Sequence, residues 1–282
     1  MNEVYLDMKQ VDKVILTALE EDMPFGDITT DNIIAGSSIS KARLIAKEDG
    51  VLAGVPVAVR TFELLSRDIK VEVLLQDGAK VKKGDIIANI EGPTREILKG
   101  ERTALNLLQR LSGVATATNK LVELVKDYPV NVVDTRKTTP GLRYLEKYAV
   151  RVGGGQNHRF SLSDGVLIKD NHISAAGGIK NAVEMVRRRI PHTVKIEVET
   201  ENLEMVREAL DVGADIIMLD NMTNEMMSEA VKLINKKALV EASGDINEQR
   251  IVEVTKTGVD IISVGRITHS VKALDISLRF YN

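Results

Sequence analysis

With 282 residues, 44% of them hydrophobic, the chain is long enough to bury a full core and to form two domains. Its 38 basic and 41 acidic residues leave a net charge of −3, which excludes a global pull on nucleic acid or an anionic membrane. The absence of tryptophan and of cysteine further excludes base-stacking platforms, disulfides, thiolate zinc sites and cysteine nucleophiles.

Met1-Asn2-Glu3-Val4 carries no basic segment leading into an apolar one, and no stretch approaches the roughly 20 apolar residues of a membrane span. A cytoplasmic protein with small-molecule partners, and neither nucleic acid nor membrane, is expected. Val11, Val14, Ile15, Ala18 and Leu19 recur at helical spacing, so the chain opens on an amphipathic helix that stops before Met23-Pro24-Phe25-Gly26. Ala42, Leu44 and Ala46 then alternate with their neighbours, and short apolar runs at 71–75 and 85–90 lie between glycine-containing turns, the pattern of an antiparallel sheet. Over 96–109 the period is helical again, with Ile97, Leu98, Leu105 and Leu108 as core positions and Arg102, Asn106 and Gln109 as a polar stripe. Residues 1–112 therefore read as one α+β domain.

Beyond residue 129 the texture changes to strands alternating with helices, with apolar runs at 130–134, 165–170, 193–199, 214–220, 238–244 and 259–265. Repeated β-α units imply right-handed crossovers and a parallel sheet, and their even spacing favours closure into an α/β barrel over 113–269. Residues 149–152 are open between a seventh strand and the end of a helix. The last segment, 270–282, is expected to return to the first domain.

Each of these strands ends in polar residues: Asp134-Thr135-Arg136-Lys137, Lys169-Asp170-Asn171-His172, Glu197 and Glu199, Asp220-Asn221, Glu241 with Ser243-Gly244, and Ser263 before Gly265. Barrel enzymes build their sites at that carboxyl end, and helix capping alone does not require six successive polar ends. Residues 129–172 carry a net +3 inside an acidic chain, so the mouth suits an anionic small substrate held by arginine forks. Lys147 and Arg151, beside Glu146, read as surface charges of a helix. Gly153-Gly154-Gly155 gives the backbone freedom to approach a ligand or take positive φ, and His158-Arg159 follows it within the basic segment. Glu199 and Asp220 close consecutive strands, where they suit a magnesium diphosphate or a developing positive charge; pairing with Lys169 or Lys195 is compatible with that. Ser243-Gly244 and Gly265 end the last two strands, the usual place for a phosphate held by backbone amides and a helix N-terminus.

Glu101-Arg102-Thr103-Ala104-Leu105-Asn106, the string from Asp134-Thr135-Arg136-Lys137 through Pro140-Gly141-Leu142-Arg143, Gly153 with His158-Arg159, and Lys169-Asp170-Asn171-His172 together resemble the quinolinate phosphoribosyltransferases. Leu219-Asp220-Asn221, Glu241-Ala242-Ser243-Gly244 and Glu20-Glu21-Asp22 with Gly26-Asp27 extend the resemblance over nearly the whole chain. It implies an incomplete seven-stranded α/β barrel with an N-terminal α+β sandwich, and a homodimer with shared active sites. It also implies conversion of quinolinate and phosphoribosyl pyrophosphate to nicotinate mononucleotide, diphosphate and carbon dioxide in NAD biosynthesis. Quinolinate would meet Arg102, Arg136, Lys137, His158, Arg159 and Lys169, with Arg102 supplied by the partner. Phosphoribosyl pyrophosphate would meet Lys137, Glu199, Asp220, Ser243, Gly244, Asp245 and Gly265, with Mg2+ at Glu199 and Asp220. Lys137, Lys169, Glu199 and Asp220 would carry the chemistry, Lys169 steering the carboxylate that leaves.

Two positions depart from the pattern: Asp245 stands where glycine or asparagine is expected, and Gly100 where alanine is commoner. Asp245 is expected to point away from the phosphate or to cap a helix. Rival readings are the related pyrophosphorylase-like protein associated with molybdate transport, a nicotinate phosphoribosyltransferase, and a carrier module, since residues 77–85 resemble a biotinyl or lipoyl hairpin. The clustered cations favour a dicarboxylate, and the 77–85 segment is more simply a charged turn.

Overall fold

The computed structural model describes residues 5–281. Its first helix, α1 (Met8–Asp22), starts where Asp7 accepts from the Lys9 amide and buries Val11, Ile15 and Leu19 on one face. Asp27 caps α2 (Ile28–Ile33) by accepting from the Thr29 and Thr30 amides. The chain then runs through β1 (Ile39–Ala46), β2 (Gly50–Val51), α3 (Val55–Leu65), β3 (Lys70–Val73), β4 (Lys80–Val81) and β5 (Ile86–Pro93). The long helix α4 (Thr94–Val125) continues well past the end expected from the sequence, because Leu111, Val114, Ala115, Leu121 and Val125 prolong its buried face.

The alternating part follows as β6 (Asn131–Val133), α5 (Arg143–Val152), β7 (Val166–Ile168), α6 (Asp170–Ala176), α7 (Ile179–Arg187), β8 (Ile196–Thr200), α8 (Leu203–Asp211), β9 (Ile216–Asp220), α9 (Asn224–Ile234), β10 (Leu239–Ser243), α10 (Ile251–Lys256), β11 (Ile261–Ser263) and α11 (Arg266–His269). Every expected strand is present, and all pair in parallel in the order β6-β11-β10-β9-β8-β7. The six-stranded sheet is extended beside β6 by a single parallel bridge, Val133 with Gln156, which is what the described residues show of a seventh strand. Residues 149–152 belong to α5, so that segment is helix. At the amino-terminal end of the sheet, the Asp215 and Asp260 carboxylates accept the Ile196 and Val240 amides at 2.8 Å and close the strand starts. That end is structural; the opposite end is free for chemistry.

The last strand, β12 (Ile276–Tyr281), pairs antiparallel with β1, completing a four-stranded sheet of order β12-β1-β5-β3. Its core packs Leu44, Ile87, Ile90 and Leu278 of the sheet against Phe62 of α3 and Ile97 and Leu108 of α4. Gly100 sits in that packing: a Cβ there would lie 2.7 Å from Leu65 Cδ1 and 3.0 Å from Phe62 Cδ1, which accounts for glycine where alanine was expected. Asp77 accepts from the Gly54 and Val55 amides at the start of α3 and from the Tyr148 hydroxyl, and Lys80 lies in β4. The 77–85 segment is thus a tethered structural turn.

By compactness the chain forms two units. One holds the chain up to Asn119 with Thr138–Gly154 and the segment from Ile267 on; the other holds Lys120–Lys137 and Gly155–Arg266. No helix among the described residues is long and apolar enough to cross a membrane.

Candidate active site

Strand alternation puts Glu197 and Glu199 on one face of β8, and the sheet register aligns Glu199 with Met218 and Met218 with Glu241. The parallel sheet therefore carries acids inward from several strands. Asp134, fully buried just after β6, accepts the His158 amide at 2.9 Å and the Asn157 side-chain amide at 2.7 Å. His158 Nε2 lies 3.1 Å from Glu197 Oε2 and 3.4 Å from Glu241 Oε2, and its Nδ1 accepts from the Arg159 amide at 2.8 Å. The 157–159 segment is held by three buried acids from three strands.

Burial opposes charge on His158, but hydrogen bonds to Glu197 and Glu241 outweigh it and hold its pKa up to about 10. Burial likewise raises Glu197. Both shifts mean that the trio retains an extra proton through neutral pH. Because Nδ1 accepts from the Arg159 amide, that proton rests on the carboxylate side, with Nε2–H donated to the acids. The other oxygens of the acids, Glu197 Oε1 and Glu241 Oε1, are buried without a hydrogen-bond partner. Among the described residues this trio is also what brings three metal-donor atoms within 4.8 Å of one another; Glu199 and Asp220 are not part of it.

Arg159 donates to Gly165 O at 3.3 Å, and its pKa is lowered by burial and by the nearby charge of Arg136. Two guanidiniums thus share one neighbourhood. Lys169 Nζ is paired with Glu199 Oε2, and the Lys169 amide donates to His172 Nδ1 at 3.0 Å, so His172 serves the local turn. Lys137 is exposed at the end of the 134–137 segment, where its amide donates to Thr135 Oγ1.

At the ends of β9 and β10 the site is built from backbone. Asn221 (φ 54°), Gly244 (φ 98°) and Asp245 (φ 47°) are all left-handed. The Asn221 amide donates to Ser243 O at 3.0 Å, and its side chain donates to Asp220 Oδ2 at 2.7 Å. A Cβ on Gly244 would lie 2.2 Å from Asn221 Oδ1 and 2.8 Å from Asn221 N, so only glycine fits. Asp245 is exposed and does not cap a helix; Asn247 accepts the Gln249 and Arg250 amides instead. The helices after Ser243-Gly244 and Gly265 have only six and four residues, so turn amides rather than a helix dipole are what this end offers an anion.

Other expectations are revised. Lys147 is 1% exposed and Glu146 fully buried, so neither is a surface charge, whereas Arg151 is exposed. Glu146 binds Arg110, whose guanidinium also reaches the Thr139 hydroxyl and the Thr268 and Val271 carbonyls, a hub that charge patterning did not reveal. Of the glycine run, Gly153 packs against α4, where a Cβ would lie 2.5 Å from Ala115 O, and Gly154 takes φ 92°; the close approach is to a helix. On α4, Arg102 and Asn106 are exposed, while Gln109 accepts the Leu274 and Ile276 amides.

Residues 27–112 match the model of the quinolinate phosphoribosyl transferase N-terminal domain and residues 114–279 that of its C-terminal domain. A probable nicotinate-nucleotide pyrophosphorylase (carboxylating) of Bacillus subtilis is 45% identical over 269 residues, 95% of this chain and 93% of its own. NadC from Streptococcus pyogenes superposes with a TM-score of 0.94 at 42% identity, covering 99% of each chain. Human nicotinic acid phosphoribosyltransferase, at 12% identity and a TM-score of 0.63 over 98% of this chain and 74% of that one, shares the fold alone.

Proposed function

The chain belongs to the quinolinate phosphoribosyltransferase family, and from that membership we propose how its residues divide the work. It is a pentosyltransferase that converts quinolinate and phosphoribosyl pyrophosphate to nicotinate mononucleotide, diphosphate and carbon dioxide in NAD biosynthesis. The observation that carries the substrate assignment is that Arg159, whose charge burial disfavours, shares its neighbourhood with Arg136, where an anion offsets both charges. Arg136, Lys137, Arg159 and Lys169 bind the quinolinate carboxylates; His158, both of whose nitrogens are engaged, holds the Arg159 backbone beside them. Arg102, exposed on α4, reaches the quinolinate of a second copy, so that the protein works as a homodimer with shared sites.

Lys137, Glu199 and Asp220 take the ribose diphosphate, and Ser243, Gly244, Asp245 and Gly265 take the 5′-phosphate through the turn amides. Glu199 Oε1 and Asp220 Oδ1 accept no hydrogen bond among the described residues, and hard carboxylate oxygens beside a diphosphate suit Mg2+. Bound there, the ion would neutralise the departing diphosphate. The pyridine nitrogen attacks C1 of the ribose as the C1–O bond to diphosphate breaks, its electron pair leaving with the diphosphate. The C2–carboxylate bond then breaks, leaving its pair on C2 beside the pyridinium, and solvent supplies the proton. Lys169, anchored by Glu199, orients the 2-carboxylate, so positioning and electrostatics carry the rate. The cytoplasm is the compartment we assign, in keeping with a cysteine-free chain.

Quinolinate consumption with phosphoribosyl pyrophosphate and magnesium tests the reaction, nicotinate serving as parallel substrate. Equal yields of nicotinate mononucleotide and carbon dioxide from quinolinate alone are expected; turnover of nicotinate would overturn the dicarboxylate assignment. Mixing inactive Arg102→Ala and Lys169→Ala chains should restore activity, and continued inactivity after proven subunit exchange would refute the shared site.

A further inference from the structure

On the reading that Asp220 and residues 243–245 hold the phosphoribosyl pyrophosphate, we infer that Arg250 and Asn221 are positioning residues that set the direction of the phosphate-facing amides. Arg250 stands at the start of α10, half-buried, and donates from Nη1 to Gly244 O at 3.0 Å and from Nη2 to Met222 O at 2.8 Å. One planar fork therefore spans the turns that follow β9 and β10.

In a trans peptide the carbonyl and the following N–H point in opposite directions. Fastening Gly244 O to Arg250 thus aims the Asp245 amide away from Arg250. The bond from the Asn221 amide to Ser243 O aims the Gly244 amide away from Asn221 in the same way. Neither the Gly244 nor the Asp245 amide donates to any group among the described residues, so two successive N–H groups at left-handed positions remain for an anion. The Asn221 side chain meanwhile holds Asp220 Oδ2, which ties the diphosphate carboxylate to the same assembly. Arg250 acts only through these carbonyls. Its consequence is that the two phosphate ends of one substrate are held in fixed register by a residue that touches neither.

Steady-state kinetics with each substrate varied separately test this. Arg250→Ala is expected to raise KM for phosphoribosyl pyrophosphate about tenfold or more, with KM for quinolinate changed less than about twofold. Arg250→Lys, whose point charge reaches one carbonyl at a time, should recover part of the loss. Asn221→Gly keeps the left-handed backbone but frees Asp220, and should raise the same KM by about threefold. A folded Arg250→Ala chain with unchanged KM for phosphoribosyl pyrophosphate, or with both KM values raised equally, would overturn the inference. If Arg250→Ala does not fold, the same split in Arg250→Lys decides. Asp220→Asn separates the two levels: an unchanged KM for phosphoribosyl pyrophosphate in that variant would refute the site assignment itself, whatever Arg250 does.

Discussion

In the proposed site, the carboxyl end of the parallel sheet offers an anion two kinds of partner. One set is made of charged side chains, Arg136, Arg159 and Lys169 from the segments that follow β6 and flank β7, backed by Asp134 after β6, Glu197 and Glu199 of β8 and Glu241 of β10. The other, around β9 and β10, consists of main chain: left-handed residues at 221, 244 and 245 clamped by Arg250. A planar carboxylate on an aromatic ring demands charge at fixed directions, which side chains supply if something buried holds them still. A phosphate offers acceptors all round and is satisfied by amides, so its set can be written in conformation.

If that contrast is right, the largest effect should come from removing a charge in the first set. Lys169→Ala is expected to lower kcat/KM for quinolinate by roughly 100- to 1,000-fold, the scale of losing one preorganised electrostatic contact. Unchanged thermal melting would show that the chain still folds, and a loss under about threefold would remove Lys169 from the chemistry.

Next come the buried acids. Glu241→Ala leaves His158 with one carboxylate and should cost about 3–5 kcal/mol in urea unfolding, as expected when one partner of a buried charged network is deleted. The pH dependence follows in sign. In the unfolded chain the extra proton leaves the histidine near pH 6.5, whereas the folded trio holds it to about 10, so it contributes stability that is complete below pH 6.5 and is lost as pH rises through about 10. Wild-type stability should therefore fall across that window more steeply than that of Glu241→Gln, and parallel slopes would show that the trio does not retain its proton.

The backbone set is tested by Gly244→Ala. With φ at 98° and Asn221 Oδ1 2.2 Å from the new Cβ, the turn must move. KM for phosphoribosyl pyrophosphate should rise about tenfold, stability should drop by about 1–2 kcal/mol, and KM for quinolinate should hold. A rise in both KM values would show that the two sets are not separable.

The same contrast explains what could be read from the sequence. The strands, their order along the chain and the polar residues at their ends, Glu197 and Glu199 among them, followed from period and composition. Lys169 was already among the partners expected for Glu199, but other pairings were not legible: nothing in spacing says that Glu197 faces His158 or that Lys147 in a charged helix is buried. Such pairings depend on which strands become neighbours. Gly244 could be flagged as glycine, but the left-handed Asn221 beside it and the carbonyl clamp from Arg250 leave no compositional trace, because the sequence encodes the side chain and the clamp acts on backbone.

Asp245 gives the smallest expected effect and the sharpest test of a backbone-built phosphate site. Its carboxylate is exposed and caps nothing, while its main chain adopts φ 47°, a conformation that costs a non-glycine residue about 1–2 kcal/mol. Replacing it by glycine removes that strain and leaves the amide in place, although a more flexible unfolded chain offsets part of the gain. Asp245→Gly should therefore change stability by less than about 1 kcal/mol and KM for phosphoribosyl pyrophosphate by less than about twofold. A much lower KM would mean that the carboxylate faces the phosphate and repels it, and the site would then depend on side-chain charge at both ends.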